Sequence, residues 1–335
     1  MSATTSVSEG RRVRKARILA PAVSGQELAL IGVIAALWIV LWWTTPAFMT
    51  VGSIRPLLIA VAPIALMGVG MTMVIVSAGI DVSVGGAMMV CGVITARVLV
   101  EGVTLPVAVA LAIAVGLLLG LFNGILIAYG RVHAIIITFG TANLFQFVGL
   151  QIFGSKTVNG IPGTLDFFGS GDSGRTLGVP HSFIITIVIA AAVWWYLRHT
   201  VGGRHYYAIG SDADAARLAG VRVPRRVTIA YLVTGGLVGL ASVFTVAKGT
   251  STLDQSIGSG QELAVIAATV IGGTSIVGGR GSVLGTVLGA LLVQTVTSGV
   301  TQLNWPSQLA SLFVGVFVII AVGADLIRQR TRRRA

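Results

Sequence analysis

The sequence predicts an all-α membrane protein: a polytopic bundle of about ten transmembrane helices with both termini cytoplasmic. Three observations carry this. The 335 residues are 55% hydrophobic and only 10% charged, with a mean hydropathy of +0.92, whereas a soluble domain carries about 25% charged residues to coat its surface. Apolar stretches near the roughly 20 residues that cross a bilayer recur almost end to end. The basic residues divide unevenly between alternate connections, eighteen of the 23 falling on one side, as the positive-inside rule expects of a correct helix count.

The elements follow in order. Residues 1–27 form a basic cytoplasmic tail containing Arg11, Arg12, Arg14, Lys15 and Arg17. The run from Leu28 to Trp43 is longer than most secretory h-regions and no small-x-small cleavage site follows it, so it is kept as the first helix. The ten candidate spans lie near 28–46, 57–77, 84–100, 104–128, 134–153, 181–197, 227–247, 261–278, 282–300 and 308–326. The pair within 261–300 is crowded with glycine and leaves open a re-entrant segment. One transmembrane domain thus covers 28–327, with Asp325 at its last cytoplasmic end, and 328–335 is a second basic tail. Two connections are long: 154–180 outside, rich in Gly, Ser, Asp and Pro, and 198–226 inside, rich in arginine. Long loops usually carry function, and these face opposite sides.

The net charge of +12 is dispersed over several loops and tails, which excludes a nucleic-acid surface. The lone cysteine, Cys91, permits neither an intramolecular disulfide nor a cysteine-based metal site and reads as a small buried hydrophobe. Lys15, Lys156 and Lys248 follow Arg14, Ser155 and Ala247, so no Gly-Lys-Ser/Thr phosphate loop exists. The histidines lack an HExxH context and no G-x-S-x-G elbow is present. No residues present themselves for catalysis or metal binding, so the chain is read as a non-enzyme without a bound cofactor.

Glycines recur at four-residue spacing in Gly116, Gly120 and Gly124, in Gly235 and Gly239, and in Gly281, Gly285 and Gly289. That spacing places small residues on one helix face and lets backbones approach. Asp81, in the glycine-flanked segment between the second and third helices, admits two readings. Either Asp81 or Ser83 caps the third helix, or the segment is a broken-helix element near a permeation path. Glu262 likewise reads as an early-turn acid at a helix start or as a path residue. Asn123, Thr138, Thr141, Asn143, Gln146 and Gln294 are uncharged polar groups within helices; amides and hydroxyls suit sugar hydroxyls and serve equally as interhelical hydrogen-bond partners. No chain of acidic residues and histidines crosses the membrane, which weighs against an ion- or proton-coupled carrier, the alternative transport class.

In the inner loop, Ser211 to Gly220 reads as a short helix. Ser211 is the expected N-cap, Asp212 and Asp214 suit the positive end, Gly220 ends it in a left-handed cap, and Pro224 prevents resumption. Two turns are marginal alone in water and need a surface to lie against.

At these residues the chain resembles the permeases of ABC importers for monosaccharides, the ribose/xylose/arabinose-type family related to branched-chain amino acid permeases. Gly79-Ile80-Asp81-Val82-Ser83-Val84-Gly85 is similar to that family's G-I-D-L-S-V-G. Arg204 to Gly210, continuing through Ala215-Ala216-Arg217-Leu218-Ala219-Gly220, is similar to its A-I-G…A-A-R-x-x-G-I loop. Glu262-Leu263-Ala264-Val265-Ile266-Ala267-Ala268, with Gly272-Gly273-Thr274-Ser275 and Gly278-Gly279-Arg280-Gly281-Ser282, resembles its third signature. Val82 for leucine, Gly86 for serine and Phe139 within Thr138-Phe139-Gly140 are departures. The resemblance implies cytoplasmic ABC ATPase subunits that use ATP and dock on the 198–226 loop through Tyr207, Gly210, Asp214, Ala216, Arg217 and Gly220. It implies an extracytoplasmic substrate-binding protein and a second permease copy or paralogue. It also implies a path built from residues such as Asp81, Ser83, Asn123, Thr138, Asn143, Gln146 and Glu262, in the bacterial cytoplasmic (inner) membrane. The outer segment containing Asn159-Gly160-Ile161-Pro162 resembles the subgroup serving rhamnose or the autoinducer-2 signal, which stands as the substrate alternative to a small sugar.

Overall fold

The computed structural model describes residues 24–154, 156–169, 171–248 and 251–334, with side chains at 172 and 324–334 left aside. The basic residues expected in the N-terminal tail lie outside the described residues, as do the side chains of Asp325 and of the C-terminal arginines. Twelve α-helices are described: α1 (Gly25–Thr44), α2 (Val51–Val76), α3 (Val84–Val100), α4 (Leu105–Gly130), α5 (Ala134–Phe153), α6 (His181–His199), α7 (Val201–Ser211), α8 (Ala213–Leu218), α9 (Val223–Lys248), α10 (Gln261–Ile271), α11 (Val283–Gln302) and α12 (Gln308–Arg334). Each of the ten apolar segments contains one of them. Seven, namely α1, α2, α4, α5, α6, α9 and α11, are long and apolar enough to cross a membrane, while α3, α10 and the apolar part of α12 are shorter.

The axis of the molecule is α2. Its apolar stretch is buried almost throughout, packed by α9, α11, α10 and α6. The α4–α9 seam follows from the glycine spacing. A Cβ on Gly120 would strike the carbonyl oxygen of Tyr231, and one on Gly235 would strike that of Gly116, so the two backbones touch. Without a water-driven hydrophobic effect between helices in lipid, such close approach is a main source of association. Gly285 and Gly289 do the same for α11 against Gly272 and Ala268. Gly281 does not share that helical face, because α11 begins only at Val283.

Three expectations are corrected. The helix expected over 261–278 stops at Ile271, because Gly272 lies backbone to backbone on Gly285 and Gly273 adopts φ of +96°. Its 11 residues span about 16 Å, half the hydrocarbon thickness. The cap of α8 is Asp212, whose Oδ1 accepts from the amides of Asp214 and Ala215 at 3.0 and 2.9 Å. Ser211 instead ends α7 and returns its hydroxyl to the Tyr207 carbonyl at 2.9 Å. Pro224 does not delay the next helix to 227; it sits in the first turn of α9, where its missing N–H costs nothing. The existence of α7 was not anticipated, since Gly202 and Gly203 disguise a helix whose buried face is Gly203, Tyr206 and Ile209.

The connection between α5 and α6 carries three of the four short strands described. Strand β1 (Val158–Asn159) pairs antiparallel with β4 (Thr252–Leu253), and β2 (Arg175–Thr176) pairs with β3 (Val179–Pro180). Phe168 packs on Phe244 of α9 at 5.3 Å between ring centroids.

Candidate functional site

The α2–α3 connection is held inside the bundle. Asp81 is 3% exposed, and its Oδ1 accepts from the Ser83 amide at 2.9 Å and the Ser83 hydroxyl at 2.6 Å. The Ser83 hydroxyl in turn accepts from Nδ2 of Asn123 on α4 at 2.7 Å. Thr138 on α5 donates to the Ile80 carbonyl at 3.0 Å, and Tyr231 on α9 reaches the same oxygen at 3.4 Å. Asp81 therefore organises the turn before α3, while Ser83 occupies the N-cap position without capping it. Asp81, Ser83, Asn123 and Thr138 form one buried latch joining α3, α4, α5 and α9. None of the four lines a cavity described here.

In front of the latch lies a cavity of about 180 Å³ between the start of α3, the middle of α5 and the start of α10. It brings together three residues singled out from the sequence: Asn143, Gln146 and Glu262. Asn143 spends its amide N–H on the Phe139 carbonyl at 2.8 Å, which leaves its carbonyl oxygen free to accept. The floor is backbone. Gly85 and Gly258 approach so closely that a Cβ on either would collide with the other's carbonyl, and a Cβ on Gly85 would also collide with the Glu262 carboxylate. Gly86 lies against the Ala142 carbonyl in the same way.

Two helices thus begin at this cavity, α3 and α10, and both present N-terminal amides that lack intrahelical partners. Interrupted helices whose ends meet within the membrane are the usual construction of a transported-solute site. The sequence reading missed Ser259, Gly258 and Gly260; the Ser256-Ile257-Gly258-Ser259-Gly260 run carried the hint. Thr141 is buried and bonds to the Thr138 carbonyl at 3.3 Å, and Gln294 on α11 lies away from the cavity.

The 198–226 connection forms a separate surface. Tyr207 on α7 donates to the Gly281 carbonyl at 3.3 Å, and burial raises its phenol above the ordinary range, so it stays neutral. Gly210 has no room for a side chain, lying against the Val76 carbonyl of α2 and the Gly279 amide, which itself donates to Val76 at 2.9 Å. On α8, Ala216 is buried, whereas Asp214 and Arg217 form an exposed pair at 3.0 Å. Gly220 ends the helix at φ of +85°, the left-handed cap the sequence predicts. Beside it Leu218 is 90% exposed, an apolar side chain projecting from the loop that sequence reasoning did not select.

The described residues thus form an all-α bundle in which seven helices are long and apolar enough to cross a membrane and two helices begin at a cavity lined by Asn143, Gln146 and Glu262. The chain belongs to the family described as branched-chain amino acid transport system, permease component, which matches residues 53–322. It is similar to the ribose import permease RbsC of Escherichia coli K12, 35% identical over 97% of this chain and 100% of that protein. It is 32% identical to the autoinducer 2 import permease LsrC of Escherichia coli K12/DH10B, over 86% of this chain and 84% of that one. A probable ABC transporter permease, y4mJ of Sinorhizobium fredii, is 31% identical over 91% of both chains. No solved structure matches significantly.

Proposed function

We propose that this chain is the membrane-spanning permease subunit of an ATP-binding-cassette importer that admits a small sugar delivered by an extracytoplasmic binding protein. The observation that carries the reading is the placement of Asn143 and Gln146. Both are exposed on α5 beside Phe139, which is 64% exposed, and they lie about 14 and 18 Å along the helix from Ala134. Amides at that depth are unfavourable against hydrocarbon, so this face of α5 meets water, substrate or a partner. A cavity of about 180 Å³ is smaller than the roughly 300–1,000 Å³ of a complete small-molecule site. Apposing a second permease, identical or a paralogue, along α5 closes it into a shared path whose amides and carboxylate suit sugar hydroxyls.

In this scheme ten helices are embedded in the membrane, with α10 as a half-span and both termini cytoplasmic. The α7–α8 loop receives the ATPase: Leu218 and Arg217 insert into the partner, an amphipathic element laid in a groove. Gly210 carries the movement to α2. ATP is used by that partner, and no cofactor is assigned to this chain. The similarity to RbsC favours a ribose-like sugar and the similarity to LsrC makes an autoinducer-2-like molecule the alternative substrate. Among the described residues only Glu27 and Asp81 are buried carboxylates, and both are engaged in hydrogen bonds, so nothing favours a proton-coupled carrier.

The test is reconstitution in proteoliposomes with the cognate ATPase and binding protein, offering labelled ribose and autoinducer-2 separately. Accumulation that requires both ATP and the ATPase supports the reading. Uptake by the permease alone along an ion gradient would overturn it.

A further inference from the structure

A cavity distinct from the α3–α5–α10 cavity opens elsewhere in the described structure. It has a volume of about 590 Å³ and lies between the start of α1, the end of α6, α7 and the start of α11. Its wall carries Arg198 and Arg204, both exposed and with no carboxylate partner among the described residues. Arg198 stacks over the Trp194 ring, 5.7 Å from its centroid. The one acid in the wall, Glu27, accepts from the Ser24 amide and the Ser282 hydroxyl, and one carboxylate against two arginines leaves the wall net positive.

A second cavity of about 220 Å³ lies beside it and shares Trp194 and Val283. Its lining is otherwise apolar: Ile187, Ala190, Ala191, Leu284 and Val287. Along α6 the distance from Ile187 to Arg198 is about 16 Å, close to the ~15 Å acyl depth of one leaflet. Trp194 sits between the two cavities, and an amphipathic ring is favoured where headgroup and acyl layers meet.

We infer that these joined cavities form a binding site for an anionic phospholipid, the phosphate held by Arg198 and Arg204 and one acyl chain lying between α6 and α11. A basic pocket between helices is the recognised way for a membrane protein to hold an anionic headgroup, and the apolar crevice at its base selects a lipid over a free anion. An occupant there touches α1, α6, α7 and α11 together, so it braces α7 against the bundle. The site stands apart from the sugar reading, since its assay needs neither ATPase nor sugar.

The experiment is native mass spectrometry of the purified full chain in detergent, with phosphatidylglycerol or phosphatidylcholine added. The parent protein is expected to retain phosphatidylglycerol preferentially. Each arginine near a headgroup is worth about 1 kcal/mol, or about fivefold, so the double variant Arg198→Gln with Arg204→Gln is expected to lose retention by about thirtyfold. Ala191→Phe, which fills the crevice and leaves the arginines intact, is expected to weaken retention as well. Equal retention of the two lipids, full retention by the double arginine variant, displacement by inorganic phosphate alone, or indifference to Ala191→Phe would each overturn the assignment.

Discussion

Asn123 of α4 donates to the hydroxyl of Ser83 at 2.7 Å, and through that hydroxyl a helix 40 residues away in sequence holds the Asp81 carboxylate in place. Asn123 is 1% exposed, so a broken link leaves buried polar atoms unsatisfied. Ser83→Ala is expected to destabilise the fold by about 1–3 kcal/mol, read as an earlier melting transition in detergent. Thr138→Val removes a single bond to the Ile80 carbonyl and is expected to cost about 1 kcal/mol. Equal melting of both variants and the parent would show that the latch contributes nothing.

The α4–α9 seam is expected to reject any side chain. Gly120→Val drives methyl groups into the Tyr231 carbonyl, and overpacking of this kind costs about 1–3 kcal/mol or more. Gly140 on α5 meets nothing within 4 Å, so Gly140→Ala is expected to be neutral or to stabilise by roughly 0.5–1 kcal/mol through helix propensity. Size-exclusion profiles and melting curves of the pair check the contrast.

Within the α3–α5–α10 cavity, Gln146→Leu removes a polar partner from the proposed path, and Glu262→Gln removes the charge and exchanges one acceptor oxygen for a donor. A lost hydrogen bond worth about 1–3 kcal/mol corresponds to roughly a tenfold fall in uptake. ATPase capture is expected to stay intact, because the substitutions lie far from α8. Loss of capture together with uptake would place these residues in folding instead.

On α8, Leu218→Asp and Arg217→Glu are expected to abolish ATPase capture by the solubilised permease while the protein still inserts. Loss of an interface hot spot costs about 2 kcal/mol or more, and a charge placed on or reversed at the contact adds repulsion or desolvation. Gly220→Pro, which cannot adopt a positive φ, is expected to have the same result. Normal uptake in any of these variants would remove the loop from docking.

Gly210 separates docking from transmission. Gly210→Ala pushes α7 away from the Val76 carbonyl and the Gly279 amide while leaving α8 untouched. The expected variant binds the ATPase, hydrolyses ATP and fails to accumulate sugar. Retained coupling would mean that movement reaches α2 by another route.

Much of this protein was legible before any coordinates. Low charge and recurrent apolar segments determined an all-α membrane bundle and placed a helix in each of ten apolar segments, because lipid demands long apolar segments whatever their packing. They missed α7 and overran the end of α10. Glycines at four-residue spacing marked the α4–α9 seam, since close backbone approach tolerates no Cβ. The Ser211–Gly220 region announced a short helix through its local residue pattern, although the cap is Asp212 rather than Ser211.

Only the tertiary structure decided which polar residues face a cavity. Asn123 and Gln146 look alike in sequence, amides within apolar helices, yet one is locked to Ser83 and the other lines open space. The outcome depends on which neighbour lies opposite, and no local pattern carries that. The end of α10 at Ile271 was hidden for the same reason: Gly272 breaks the helix by resting on Gly285 of another element. The basic cavity at Arg198 and Arg204 likewise exists only because α1, α6, α7 and α11 converge. Composition and periodicity are properties of the chain with its solvent, whereas a site is a property of residues distant in sequence meeting in space.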